Sequence, residues 1–138
     1  MENVNNMNKL RKTSKILTII IAIIIIIMSS IPFETAQSFT HVTTFKSVLY
    51  HFSIFFLLAI FFLMSFDSSK SLFSMVFLIL FGILDEIHQI FTPGRSCSTA
   101  DFVIDFTGIL FAYFIYNEVK NAKNTNNWGF GVHRKTPC

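Results

Sequence analysis

The segment Asp85-Glu86-Ile87-His88-Gln89 places two carboxyl groups, an imidazole and an amide within five residues. Carboxylates and imidazole transfer protons in general acid–base catalysis, and they also bind divalent cations. Asp85, His88 and Gln89 have i, i+3, i+4 spacing and share one side of a helix, while Glu86 points about 100° away from Asp85. The segment therefore predicts a binding or catalytic site. The competing interpretation is a polar network that only holds helices together, because buried polar groups often satisfy one another.

The composition around this segment is strongly apolar. The chain has 138 residues, of which 52% are hydrophobic, 14% are charged and 18 are Phe. Soluble domains carry about 25% charged residues, and a chain this short cannot bury so much apolar surface by itself. The composition predicts an integral membrane protein with the lipid bilayer as its main partner. The basic residues form no continuous stripe, which argues against a nucleic-acid partner.

Four apolar runs are long enough, or nearly so, to cross a hydrocarbon core of about 30 Å. They predict an all-α, four-helix bundle, multi-pass in the cell membrane, with spans at about 16–33, 48–66, 72–91 and 101–116. The predicted organisation is a basic cytoplasmic N-terminus over 1–15, a membrane domain over 16–116 and a polar, disordered cytoplasmic tail over 117–138. The first run, which follows a basic cluster, is also compatible with a signal peptide cleaved near Ala36.

The basic residues indicate how the spans are oriented. With four spans, nine Lys and Arg residues lie on the side of the two termini, and two lie on the other side, Lys46 and Arg95. Because Lys and Arg accumulate on the cytoplasmic side of membrane proteins, both termini are predicted to be cytoplasmic. The end of the third span that carries Asp85 then faces outward.

Ionisable residues from three spans fall in one predicted layer, the outer third of the membrane. At 1.5 Å per helical residue, Asp85 lies about 9 Å and His88 about 4.5 Å below the outer end of the third span. His51 lies about 4.5 Å into the second span, and Asp101 and Asp105 lie in the outer part of the fourth. Because ionisable groups inside membranes pair with one another or line a wet cavity, we expect these residues to form one cluster.

The fourth span carries a stripe of acidic and small residues. Asp101 and Asp105 are four residues apart, and Gly108 and Ala112 continue the same face. Small residues let a neighbouring helix approach closely. The two carboxylates are therefore predicted to face another helix and not lipid.

The sequence leaves the ligand of this site open. Arg95 follows the helix-breaking Pro93-Gly94 pair and can hold a carboxylate or a phosphate bidentately. Carboxylates with imidazole suit a divalent cation, but no ligand motif such as HExxH is present, so a metal is compatible with the sequence and not favoured. The sequence indicates no other cofactor and no particular oligomeric state.

The run from Gly82 to Ser96 resembles the signature of the VanZ-like family, which has Asp-Glu, His-Gln, Pro-Gly-Arg and then an Asp that opens the next helix. The matching elements in this chain are Asp85-Glu86, His88-Gln89, Pro93-Gly94-Arg95 and Asp101, together with Gly108 in the fourth span and His51 in the second. The resemblance covers about 16–116. The chain departs from the family in Phe55, where Tyr is usual, and in Asp105, where Asn is usual.

The resemblance implies an outward-facing polar site at the cell envelope. Its predicted members are Asp85, Glu86, His88, Gln89, Arg95 and Asp101, supported by His51, Asp105, Gly94 and Gly108. The family is named for a protein associated with teicoplanin resistance, which implies a role in modifying or shielding an envelope component and lowering glycopeptide access. It establishes no reaction. The alternatives are an enzyme acting on a lipid or peptidoglycan precursor, and a small transporter or assembly partner.

Overall fold

The computed structural model describes residues 2–31, 42–66, 71–93 and 99–129. Within these ranges the chain forms four α-helices and no strand. The helices are α1 (Glu2–Ser29), α2 (Val42–Ser65), α3 (Ser71–Ile90) and α4 (Thr99–Gly129). The predicted all-α, four-helix architecture is confirmed.

Every helix contains a stretch that is long and apolar enough to cross a membrane. These stretches are Val4–Ser29, Ser47–Ser65, Leu72–Ile90 and Thr99–Lys123, of 26, 19, 19 and 25 residues. Large apolar side chains lie exposed on the outside of the bundle, for example Ile19 at 60%, Phe73 at 73% and Phe114 at 61%. Exposing such an extensive apolar surface to water is unfavourable. Lipid is therefore the natural surrounding of the bundle.

Two helices are longer than the predicted spans. α1 begins at Glu2, and α4 continues to Gly129, well beyond the predicted end at Tyr116. The interpretation of 117–138 as a disordered tail does not hold for 117–129, which are helical. A polar composition keeps these residues out of the hydrocarbon core but not out of a helix, since a formed helix gains one hydrogen bond for each residue added. The rest of that tail, 130–138, and the predicted cleavage site near Ala36 lie outside the described residues.

α2 is the central helix of the bundle. It packs most extensively against α4 and next against α1, while α3 packs mainly against α4. All four helices contribute to the buried apolar core, which contains Ile21, Ile25, Phe55, Leu58, Ala59, Leu78, Ile109 and Ala112. Because Ile21 and Ile25 belong to this core, α1 is an integral part of the packed structure.

The contact between α2 and α4 is a close approach of two backbones. A Cβ atom at Gly108 would lie 2.7 Å from the carbonyl oxygen of Phe52 and 3.3 Å from the backbone nitrogen of Phe56. Ala112, one turn further along α4, is completely buried. The small residues permit this approach, as the sequence predicts. The approach also brings together the neighbouring polar residues of the two helices, His51 and Asp105.

Candidate functional site

Three ionisable side chains from three helices meet inside the bundle. They are His51 of α2, Glu86 of α3 and Asp105 of α4, and each offers a nitrogen or oxygen atom within 4.8 Å of the atoms from the other two. Their exposed fractions are 6%, 3% and 0%. We call this group the His–Glu–Asp cluster. It is a buried site of two carboxyl groups and an imidazole between α2, α3 and α4.

A hydrogen bond joins the histidine and the aspartate of this cluster. His51 Nδ1 and Asp105 Oδ1 are 3.0 Å apart. When Nδ1 carries the proton, it donates to Asp105 and leaves Nε2 with a lone pair. The second oxygen of Asp105, Oδ2, is buried and accepts no hydrogen bond from the described residues. The cluster therefore presents an acceptor that is able to take a further ligand or proton.

Further charges act on the cluster. His51 interacts electrostatically with Asp105, Asp101 and Glu86. Asp105 interacts with the charges of Glu86 and Asp85 in addition to that of His51. Among the described residues, acidic groups therefore outnumber the imidazole at this place, and a positively charged ligand would find a favourable potential here.

A second polar group links α3 to the end of α1. Ser29 Oγ donates to Asp85 Oδ1 at 2.6 Å, and Gln89 Nε2 donates to Asp85 Oδ2 at 3.0 Å. Thr92 Oγ1 donates to the backbone oxygen of Ser29 at 3.1 Å. We call this group the Ser–Asp–Gln network. Both oxygens of Asp85 are satisfied by neutral donors, so this carboxylate has the contacts of a structural link.

An apolar groove runs beside the Ser–Asp–Gln network. It has a volume of about 290 Å³ and is lined by Ile26 of α1 and by Phe81, Leu84, Asp85 and His88 of α3. His88 is exposed, and its Nε2 lies 3.0 Å from the hydroxyl of Ser30. The groove thus offers three apolar side chains together with one carboxylate and one imidazole.

The residues expected in one cluster divide into two groups. Asp85, His88 and Gln89 share one side of α3, as their spacing predicts, and all three bond to the end of α1 or to each other. Glu86 points to another side of α3 and joins His51 and Asp105. The reason is the helical turn of about 100° between consecutive residues.

Of the other predicted site residues, two are described by the structure and two are not. Asp101 is half-buried and near enough to His51 to interact with it electrostatically. Gly108 provides the close helix approach beside the cluster. Gly94 and Arg95 lie outside the described residues, so their roles stay predictions.

Three hydroxyl residues of the site, Ser29, Ser30 and Thr92, were not among the predicted site residues. Their signal is visible in retrospect. Two consecutive serines follow the apolar run 23–28 near the predicted outer end of the first span, and hydroxyl groups in membrane helices commonly bond across to a neighbouring helix.

Comparison with known proteins identifies the family. The VanZ/LLP1 family model matches residues 4–120, a range that includes the His–Glu–Asp cluster and the Ser–Asp–Gln network. The match covers most of the chain, so this chain belongs to the VanZ/LLP1 family, and its four apolar helices make it a multi-pass membrane protein of that family. No curated protein and no solved structure matches the chain.

Proposed function

We propose that this VanZ/LLP1 family member acts on a component of the cell envelope at the outer face of the membrane, and that it thereby lowers susceptibility to glycopeptide antibiotics such as teicoplanin. The observation that carries the proposal is the His–Glu–Asp cluster, whose ligand atoms lie within 4.8 Å of one another. An Asp at the centre of a membrane helix costs about 2.5–3.5 kcal/mol on insertion scales. Ionisable residues retained there usually mark a functional site.

The two polar groups have different roles in this proposal. The cluster of His51, Glu86 and Asp105 binds or exchanges protons with the envelope component, because Asp105 Oδ2 is a buried acceptor with no donor among the described residues. The Ser–Asp–Gln network positions α1 against α3, because Asp85 is already satisfied at both oxygens.

The outward orientation is supported by the distribution of basic residues. Nine of the 11 Lys and Arg residues fall on the side of the termini when the chain crosses the membrane four times. In this orientation the His–Glu–Asp cluster lies toward the outer leaflet. Arg95, in the predicted outer loop, is proposed to hold an anionic group of the envelope component.

The two cysteines of the chain allow a direct test of orientation. Cys97 belongs to the predicted outer loop and Cys138 to the predicted cytoplasmic end. A membrane-impermeant maleimide applied to intact cells is expected to label the Cys138→Ser variant, which keeps only Cys97. The Cys97→Ser variant is expected to react only after the membrane is opened. The reverse labelling pattern would contradict the outward-facing site.

Antibiotic susceptibility tests the function itself. Expression of the wild-type protein in a glycopeptide-responsive host is expected to raise the minimal inhibitory concentration of teicoplanin. Asp105→Asn and Glu86→Gln are expected to abolish that increase, because each removes one carboxylate of the cluster with little change in shape. Glu118→Gln removes an exposed carboxylate of α4 and is the matched control, expected to behave like wild type.

Protein levels in the membrane fraction are compared by immunoblot, so that a loss of effect is separated from a loss of protein. If Asp105→Asn and Glu86→Gln protect as well as wild type at equal protein levels, the cluster has no part in the function. If the wild-type protein does not change teicoplanin susceptibility, the proposed link to glycopeptides is wrong.

A second candidate function is an enzyme acting on a lipid or peptidoglycan precursor, and the groove beside Asp85 and His88 favours it. Its volume of about 290 Å³ is near the lower limit of ligand pockets, about 300–1,000 Å³. It would hold part of a lipid-linked molecule, with apolar chain against the apolar lining and the head group near the two polar side chains. Acid–base catalysis by the exposed imidazole of His88 is the chemistry that this arrangement permits.

Filling the groove tests this candidate. Leu84→Trp places a large side chain in the groove, whereas Leu80→Trp places the same side chain on an exposed part of α3 that does not line it. Purified wild-type protein is incubated with lipid-linked precursors, with and without divalent metal, and products are followed by mass spectrometry. The candidate requires turnover that Leu84→Trp removes and Leu80→Trp leaves, and precursors unaltered by wild type count against it.

A further inference from the structure

We propose that the His–Glu–Asp cluster binds a divalent transition-metal cation such as Zn²⁺ or Mn²⁺. The inference rests on the proposed function, since it assigns a ligand to the same site. His51 offers an imidazole nitrogen, and Glu86 and Asp105 offer carboxylate oxygens. These are the ligand types that such cations take in proteins. Among the described residues, the three form a group whose ligand atoms all lie within 4.8 Å of one another.

The spacing of the ligand atoms suits a single ion. Metal–nitrogen and metal–oxygen bonds are about 2.0–2.2 Å long. Two ligand atoms of one ion therefore lie about 3.4 Å apart at a tetrahedral angle and at most about 4.4 Å apart on opposite sides. The upper limit of 4.8 Å in the cluster is close to this range, so the three side chains are near enough to share one ion.

The unsatisfied oxygen of Asp105 is an independent indication of a ligand. Asp105 is completely buried, its Oδ1 is bonded to His51, and its Oδ2 accepts no hydrogen bond from the described residues. Buried polar atoms almost always have a partner, and an exception requires an explanation such as an ion. A cation bound between His51, Glu86 and Asp105 gives this oxygen a partner.

Charge balance also favours a divalent cation. Two carboxylates lie close together in an apolar bundle, and their mutual repulsion is large where the dielectric constant is low. A protonated His51 would neutralise one of them, whereas a divalent cation neutralises both and leaves the imidazole neutral, as a metal ligand requires. The alternative is that the carboxylates share protons with one another and with the imidazole.

A site with three protein ligands has a specific consequence for function. Structural zinc sites are closed by four protein ligands, whereas catalytic sites have three and keep a position for water or substrate. The cluster would thus hold an ion that can take an anionic oxygen, for example one from a phosphate group. The groups acting on the envelope component would then be the ion and its bound water, and not the carboxylates alone.

Metal binding by the full-length protein in detergent tests this proposal. After treatment with EDTA and desalting, Zn²⁺ and Mn²⁺ are titrated by calorimetry, and retained metal is measured by mass spectrometry. Wild type is expected to bind about one ion per chain. Asp105→Asn and Glu86→Gln are expected to lose more affinity than the 10–100-fold typical of removing an outer-shell partner. The exposed control Glu118→Gln is expected to bind like wild type.

A second measurement on wild type alone avoids variants that fail to fold. Mn²⁺ bound in the cluster is expected to show pulsed-EPR coupling to an imidazole nitrogen, which requires a histidine ligand. Absence of binding by folded wild-type protein, or binding without this coupling, would overturn the proposal. Unchanged affinity in a correctly folded Asp105→Asn variant, judged by gel filtration, would overturn it as well.

The metal proposal and the proposed function fail in different ways. If wild type binds the ion but Asp105→Asn leaves teicoplanin susceptibility unchanged, the metal site stands and the proposed function is wrong. If wild type binds no ion but Asp105→Asn abolishes protection, the function stands and the metal proposal is overturned. The second outcome would assign the cluster to shared protons.

Discussion

The α2–α4 contact and the α1–α3 contact both bury carboxylates, but they satisfy them differently. Asp85, between α1 and α3, receives a hydrogen bond at each oxygen, from Ser29 and Gln89. Asp105, between α2 and α4, is bonded to His51 through Oδ1, and its Oδ2 has no donor among the described residues. A carboxylate with both oxygens satisfied is suited to hold helices together. One with a spare buried oxygen beside an imidazole is suited to bind a ligand.

The two contacts also differ in how closely their helices approach, and the α2–α4 contact is the tighter one. At α2–α4, Gly108 lets the backbones approach so closely that even a Cβ would lie 2.7 Å from the oxygen of Phe52. At α1–α3 the contact is smaller and leaves a groove of about 290 Å³. The tight contact therefore encloses its polar residues, whereas the loose contact relies on hydrogen bonds and stays open at the surface.

The largest effect on stability is expected from Gly108→Ala. The new methyl group would overlap with the backbone of α2, and overpacking of this kind costs about 1–3 kcal/mol or more. Gly82→Ala is the matched control, because a Cβ there meets only the ring of Phe55 at an ordinary 3.5 Å, and Ala gains helix propensity over Gly. Thermal unfolding in detergent measures both. If the two variants had equal melting temperatures, the α2–α4 contact would not be limited by backbone approach.

A clear loss, without the larger values possible for backbone overlap, is expected from Ser29→Ala. The change removes a 2.6 Å hydrogen bond to a buried oxygen of Asp85, and leaving a buried acceptor without its donor costs about 1–3 kcal/mol. Ser30→Ala is the control on the next residue, where the hydroxyl and its partner His88 are both exposed, and a change within about 0.5 kcal/mol is expected. Unfolding in SDS titrations compares them. Equal losses would mean that burial at Ser29 adds nothing to the α1–α3 link.

The smallest expected effect is that of Thr92→Val. Thr92 Oγ1 donates to the backbone oxygen of Ser29 between two elements, and losing one neutral hydrogen bond costs about 1 kcal/mol. Thr107→Val is the control, because that exposed hydroxyl bonds to Val103 within its own helix, and a change within about 0.5 kcal/mol is expected. The same SDS titration applies. A Thr92→Val variant as stable as its control would show that the Thr92 hydrogen bond adds nothing to the contact between α1 and α3.

The membrane architecture follows from local properties of the sequence. The length and apolarity of four runs predict four helices, and the structure confirms them. The spacing of Asp85, His88 and Gln89 likewise predicts their shared helix side. The helical structure of 117–129 was not predictable in the same way. A polar composition indicates that a segment lies in water, but it does not indicate whether the segment is a helix or a coil.

Which residues meet in the site depends on contacts between distant segments, and a short sequence motif does not reveal such contacts. His51 and Asp105 are 54 positions apart, and Ser29 and Asp85 are 56 positions apart. The sequence indicated that these residue types would lie in the outer part of a membrane bundle, but not which of them would bond. Absence of a ligand motif therefore says little about a metal here, since each ligand comes from a different helix.

The sequence by itself determined that lipid surrounds the chain and that it forms four helices, because both depend on the length and apolarity of its runs. Helical periodicity determined the face on which the polar residues of α3 lie, and the signature motif indicated the family. Only the tertiary structure decided which carboxylate is satisfied and which is available. Gly108 lets α2 and α4 approach closely beside His51 and Asp105, helix packing brought Glu86 of α3 to the same two residues, and it brought Asp85 to Ser29. The physical reason is that partners in a dry bundle are chosen by helix contact over distances of a few ångströms, and contacts between distant segments are not a local property of the chain.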